Sequence, residues 1–326
     1  MRPDTLTELC ARHGLTRPTD TRGLRFESFG PFAATYIAAC QCLREEADLK
    51  RLLTEVAEDA ANDGAVWVEV APSIELYAPL FGGLAATLKL LLRLSKEVEE
   101  EQGIGIGFII SAARHESPAD AEALALAVRT EADALLPTRP HALVGFGLHA
   151  DEEGNPPEPF ARAFEIACGG DSPVKAMPHA GEIAPGDLAS GPRSVAFCVD
   201  VLGAARVGHG VLAAPDAPLV ARMATSGVCL DVCPTSNFLL SVVPSLEAHP
   251  LPRLLAQGVT CTINADDPLL FGCSLLSEFE VCRHTLGMDD ETLGACARAS
   301  FQHARCSDAV RNAGIAGVDA WLALDA

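Results

Sequence analysis

Aromatic residues are scarce in this sequence: Phe, Trp and Tyr make up 5% of its 326 residues. A stacking platform for single-stranded nucleic acid is built from such side chains, so that class of binder is excluded. Positive charge is also in short supply. Lys and Arg number 24 against 44 Asp and Glu, a formal net charge of −20. Such a surface repels phosphate backbones and anionic lipid, so no nucleic-acid or membrane partner is expected, and a small molecule in a local pocket is. Long apolar runs are absent too. The stretch Ile104 to Ile110 is far too short to span a bilayer. The opening MRPDTLTELCARHGL lacks the apolar segment of a secretory signal. Cysteine is not lacking, but the 12 residues are scattered among apolar neighbours, as at Cys198, Cys229 and Cys261. That placement fits small buried hydrophobes in a reducing, cytoplasmic setting and not a disulfide framework. No linker or composition break divides the chain, so residues 1–326 are read as one domain.

What is present is alternation. Strand-like apolar runs occupy 65–70, 104–110, 142–148, 174–178, 205–209, 228–232 and 259–264. Amphipathic, helix-period stretches separate them: 49–61, 84–101, 119–132, 159–168, 191–202, 217–225 and 250–256. Three more helical segments close the chain at 275–285, 290–301 and 307–312, and two precede it at 3–13 and 31–42. Near-continuous apolar strands alternating with helices predict a parallel sheet covered by helices. The count is seven, whereas a closed β/α barrel needs eight. An open doubly wound sheet accepts seven, but a nucleotide-binding one carries a glycine-rich turn between its first strand and helix. Gly103 to Gly107 reads G-x-G-x-G inside a strand, which fits glycines in a crowded barrel interior better.

Polar residues collect at the C-terminal ends of these strands. His179 and Glu182 follow the fourth, His209 ends the fifth, Ser236 and Asn237 follow the sixth, and Asp266 and Asp267 follow the seventh. In a parallel barrel these ends share one rim, so residues distant in sequence converge. Taken singly, each has a bland reading. A strand-end histidine is more often structural, Asp266-Asp267 before Pro268 reads as a helix cap, and CPTSN reads as a turn. Four successive strand ends each delivering a polar group is the informative coincidence. Two imidazoles and three carboxylates on one rim can hold a metal with a general acid beside it.

The blocks KAMPHAGE (175–182), ARVGHG (205–210), CPTSN (233–237) and NADDP (264–268), in this order and spacing, resemble the adenosine deaminase family of metal-dependent amidohydrolases. GFGLHADE (145–152) lies where that family has a purine-contacting strand end. The resemblance covers nearly the whole chain. It implies a β/α (TIM) barrel with one zinc and a hydrolytic deaminase. His179 and Asp266 would be zinc ligands, Glu182 the proton donor to purine N1, and His209 the group that orients and deprotonates the attacking water. Asp267 would hydrogen-bond the purine near N7. The implied reaction converts adenosine or 2′-deoxyadenosine to the inosine product plus ammonia. The same chemistry on adenine or 6-aminodeoxyfutalosine is the alternative.

One family motif is missing. The family's first strand carries a His-x-His pair, two of its zinc ligands, and this sequence contains no His-x-His. The missing piece is the eighth strand, in agreement with the count of seven. A start recorded roughly 10–15 residues late, about one strand and its loop, is the preferred explanation, because every downstream position is intact. True loss would leave His179 and Asp266 as ligands, fewer than the three that zinc normally takes, and would favour a non-catalytic nucleoside-binding barrel. His13 and His115 do not sit at strand C-terminal ends. A second departure is Ala150, where relatives often have Gly, with His149 beside it at the pocket edge.

Overall fold

The structure is a computed structural model describing residues 1–183 and 189–324. Seven strand positions run parallel: β1 (Trp67–Val70), β2 (Gly105–Ala113), β3 (Leu143–His149), β4 in two pieces (Lys175–Ala176 and His179–Ala180), β5 (Arg206–His209), β6 (Cys229–Val232) and β7 (Thr260–Ile263). Each expected strand is found within a few residues of its sequence bounds. The fourth differs because Pro178 has no N–H and breaks the regular ladder. Backbone bonds still carry the sheet across the break: Met177 N–H donates to Phe146, while Ala205 and Gly208 donate to the carbonyls of Ala176 and Pro178. The strands thus form one parallel arc in sequence order. Among the described residues no ladder joins β7 back to β1.

Alternation along the strands, shifted by one residue at Val144 where β3 bulges against Phe108 and Ile109, sets the two faces. Phe108, Ile110, Leu143 and Phe146 point outward into the helical layer, where they share a core with Leu88, Leu91, Leu124 and Val128 from the helices Leu84–Gln102 and Pro118–Leu135. Ile109, Val144 and Met177 point the other way and pack with Trp67 inside the barrel. A Cβ on Gly105 would lie 2.3 Å from the Trp67 ring, so the G-x-G-x-G run is indeed an accommodation to a crowded interior. The interior also holds charge. Arg206, at the start of β5, reaches across to Glu69 of β1 and donates to Asp231 of β6 at 2.9 Å. Trp67 Nε1 and the Arg305 amide complete the Glu69 carboxylate at 2.9 and 2.6 Å.

Two segments depart from the sequence expectation. CPTSN is not a plain turn: Pro234–Leu239 forms a short helix. The last helix runs Asp308–Leu322, well beyond the expected 307–312. Gly314 and Gly317 weaken its sequence signal, yet Gly314 is where the Phe301 ring seats, leaving no space for a Cβ. Among the described residues no helix is long and apolar enough to cross a membrane.

Candidate active site

The rim at the strand C-terminal ends gathers every residue singled out there. After His179 the chain turns through Gly181, whose φ of 66° is a left-handed conformation that favours glycine, and presents Glu182. That turn is held by two buried residues which sequence reasoning did not single out. Glu152 accepts the amides of Gly181, Glu182 and Ile183 at 2.8, 2.9 and 3.1 Å. Arg114, just past β2, donates to the His179 carbonyl at 2.8 Å and lies 4.0 Å from Glu152. Glu152 was visible only as a letter of GFGLHADE; its work on a loop 30 residues away left no periodic signal.

His209 ends β5 with φ 62°, and Asp266 follows β7 with φ 58°. With Ala150 at φ 72°, they are three of the four non-glycine residues with positive φ among the described residues. Such backbone costs on the order of 1–3 kcal/mol each and clusters where side chains must be aimed. His209 Nε2 lies 3.4 Å from Glu182 Oε1 and 3.9 Å from Asp266 Oδ2. The rings of His179 and His209 are 5.4 Å apart between centroids. Close approach is allowed because β5 has Gly208 beneath the His179 ring, where a Cβ would come to 3.0 Å.

Burial dominates the electrostatics. It pushes the Glu182 carboxyl up to about 7, with His209 opposing and Asp266 assisting. It pushes Asp267 well above the usual carboxylate range, reinforced by Asp266 and Glu182. It holds His179 well below the usual imidazole range, reinforced by His209, His149 and Arg114. Asp267 begins the short helix Pro268–Phe271, but its side chain makes no capping bond, so the bland reading of a helix cap does not describe it.

The donor set suits zinc. One donor atom each from His209, Cys233 and Asp266 lie within 4.8 Å of one another, and the buried Nδ1 of His179 has no hydrogen-bond partner. Imidazole, thiol and carboxylate are the ordinary ligands of that ion. Cys233 was not among the expected ligands, although it stands in the CPTSN block. His179 lies beside this trio, not within it.

Beyond His179 lies a second polar group. Tyr36 donates to Ser73 Oγ at 3.2 Å, Ser73 Oγ meets His149 Nδ1 at 3.2 Å, and His149 Nε2 lies 3.3 Å from Glu75. The other Glu75 oxygen is buried without a hydrogen-bond partner, as is Ser111 Oγ. On the opposite side, Leu251 N–H donates to His249 Nδ1, His249 Nε2 meets Asn237 Oδ1, and Asn237 Nδ2 meets His209 Nδ1, each at 3.1 Å.

Comparison with known proteins places this geometry. The family model described as adenosine deaminase matches residues 1–321. A putative adenosine/adenine deaminase from Streptomyces virginiae is 39% identical over 337 aligned positions, covering 99% of this chain and 93% of the relative. An aminodeoxyfutalosine deaminase from Acidothermus cellulolyticus is 32% identical, covering 95% of this chain and 85% of its own. Among solved structures, adenine deaminase from Arthrobacter aurescens superimposes with a TM-score of 0.83 at 26% identity, covering 98% and 95% of the two chains.

Proposed function

The chain belongs to the adenosine deaminase family and is a deaminase of adenosine- or adenine-type substrates, and within that class we propose that it hydrolyses the exocyclic amine of a 6-aminopurine nucleoside, adenosine or 2′-deoxyadenosine. The observation that carries this reading is the Glu182 carboxyl, buried and raised to about 7, 3.4 Å from His209. A carboxylic acid still protonated near neutral pH can donate to N1 of the ring. With N1 protonated, C6 accepts an oxygen nucleophile, and ammonia leaves as the ring regains its aromatic form. His209 would orient the attacking water. His179 and Asp266 would hold zinc, with Cys233 within reach of the same ion. When bound, zinc supplies a Lewis acid that makes water acidic enough to ionise near pH 7.

Asp267 would recognise the purine. Burial favours its protonated form, so it donates to N7 and does not accept from it. A pyrimidine has no N7 to receive that bond. Free adenine and aminodeoxyfutalosine have comparable support, since similar proteins bear those names. The test is ammonia release, and loss of adenine absorbance, with zinc supplied. Adenosine, 2′-deoxyadenosine, adenine and 6-aminodeoxyfutalosine are compared with cytidine. Turnover of at least one purine and none of cytidine is expected. Deamination of cytidine alone would overturn the assignment.

A further inference from the structure

Four side chains join the end of β1 to the end of β3, and the reaction proposed above uses none of them. Tyr36, on the helix Phe29–Cys40, donates to Ser73 Oγ at 3.2 Å, and Ser73 Oγ meets His149 Nδ1 at 3.2 Å. His149 Nε2 lies 3.3 Å from Glu75 Oε1. Ser73 and Glu75 follow β1, and His149 ends β3. The Glu75 and His149 side chains are only 12% and 13% exposed, so water is a poor substitute for a partner. Yet Glu75 Oε2 is buried without a hydrogen-bond partner. A carboxylate oxygen in that position calls for a donor, since an unmet buried acceptor costs its full desolvation.

The group adjoins the rim at both ends. After burial, the first cause in each case, His209 and His149 lower the His179 imidazole, and Cys40 and Asp267 raise the Tyr36 phenol. The topology then gives a bound purine its direction. Glu182 follows β4 and Asp267 follows β7, with His209 on β5 between them. On the proposed reading N1 meets Glu182, N7 meets Asp267 and C6 faces His209. N3 and N9 lie across the ring from C6. Whatever N9 carries therefore leaves the rim away from His209, toward the ends of β1 and β3.

We propose that Glu75, held through its other oxygen by His149, accepts a hydrogen bond from a hydroxyl of the sugar on N9, so that the pair selects a nucleoside over the free base. The proposal rests on the deaminase reading and narrows it. Free adenine offers a single N–H at that edge, fixed in the ring plane. A ribose offers hydroxyls several bonds further out, and a carboxylate is a recurrent acceptor for them. Four polar groups drawn from two strand ends and a helix are more than one N–H requires.

The experiment compares adenosine with adenine as substrates, and inosine with hypoxanthine as ligands by calorimetry. It uses the full chain with zinc supplied and its Glu75→Gln and Glu75→Ala variants. In Glu75→Ala the preference for adenosine over adenine, as a ratio of kcat/KM, should fall about tenfold to hundredfold, mostly through KM. Inosine binding should weaken relative to hypoxanthine by a similar factor. Glu75→Gln keeps a carbonyl acceptor and should lie between the wild type and Glu75→Ala. Ratios that stay constant, because both ligands weaken equally or neither does, would overturn the proposal. So would ratios that rise, which would make Glu75 a reader of N9–H on the free base. If Glu75→Ala does not fold, the Glu75→Gln ratios decide. Calorimetry stands apart from turnover. No ammonia from any purine, with inosine binding still selectively weakened in the variants, would sink the deaminase reading and leave the sugar site standing.

Discussion

Glu182 and Ala150 show what single side chains do on this rim. Glu182→Gln keeps the shape and removes the transferable proton. It should retain zinc yet lose turnover by a factor on the order of 10²–10⁴. Steady-state rates beside metal analysis of the same samples check it, and a rate near wild type would place the proton donor elsewhere. Ala150 sits at φ 72°, where a β-carbon is strained and glycine is not. Ala150→Gly should therefore stabilise the chain by roughly 1 kcal/mol, read from its urea midpoint, since relief of the strain exceeds the extra flexibility of the unfolded glycine. At this scale the sequence was informative about His179, Glu182, His209, Asp266 and Asp267, because short blocks at strand ends carried them. It was silent about Arg114, Glu75 and His249. Their partners are other elements' loops, and nothing in their own neighbourhoods differs from ordinary surface or turn sequence.

Among the elements, the strands were legible because burial on both faces leaves near-continuous apolar runs, and the helices because their period differs from it. The break in β4 was not, since Pro178 reads equally well as a strand end. Nor was the charge inside the barrel: Arg206, Glu69 and Asp231 lie on three different strands and pair only once the sheet has curled. That trio ties β1 to β5 across the interior. Arg206→Met would leave two mostly buried carboxylates without their cation, and a loss of about 3–5 kcal/mol is expected. Adding Glu69→Gln to that variant should recover part of it. Denaturant unfolding of the single and double variants measures both, and a loss below about 1 kcal/mol in the single variant would make the network dispensable.

The whole molecule carries a net charge of −20 and, among the described residues, keeps four carboxyls, Glu116, Glu182, Asp267 and Glu278, raised by burial. His179, His249 and His303, held below the usual imidazole range by burial, bind fewer protons folded than unfolded, but at the raised carboxyls the folded chain binds more once the pH exceeds the ordinary carboxylate range of about 4 to 4.5. The associated stability is full below that range and is lost as pH rises, for Glu182 through about 7. Without metal, the thermal midpoint of the wild type relative to that of Glu182→Gln should fall between about pH 5 and pH 7.5. A difference between the two that stays constant over that interval would mean that Glu182 is ionised in the fold throughout it. The arc of strands has a consequence of its own. Among the described residues β1 and β7 are each laddered to a single neighbour, whereas β3 is laddered on both sides. Amide deuteration of the native chain should run inward from both ends, fastest at 67–70 and 260–263 and slowest at 143–149, in the middle of the arc.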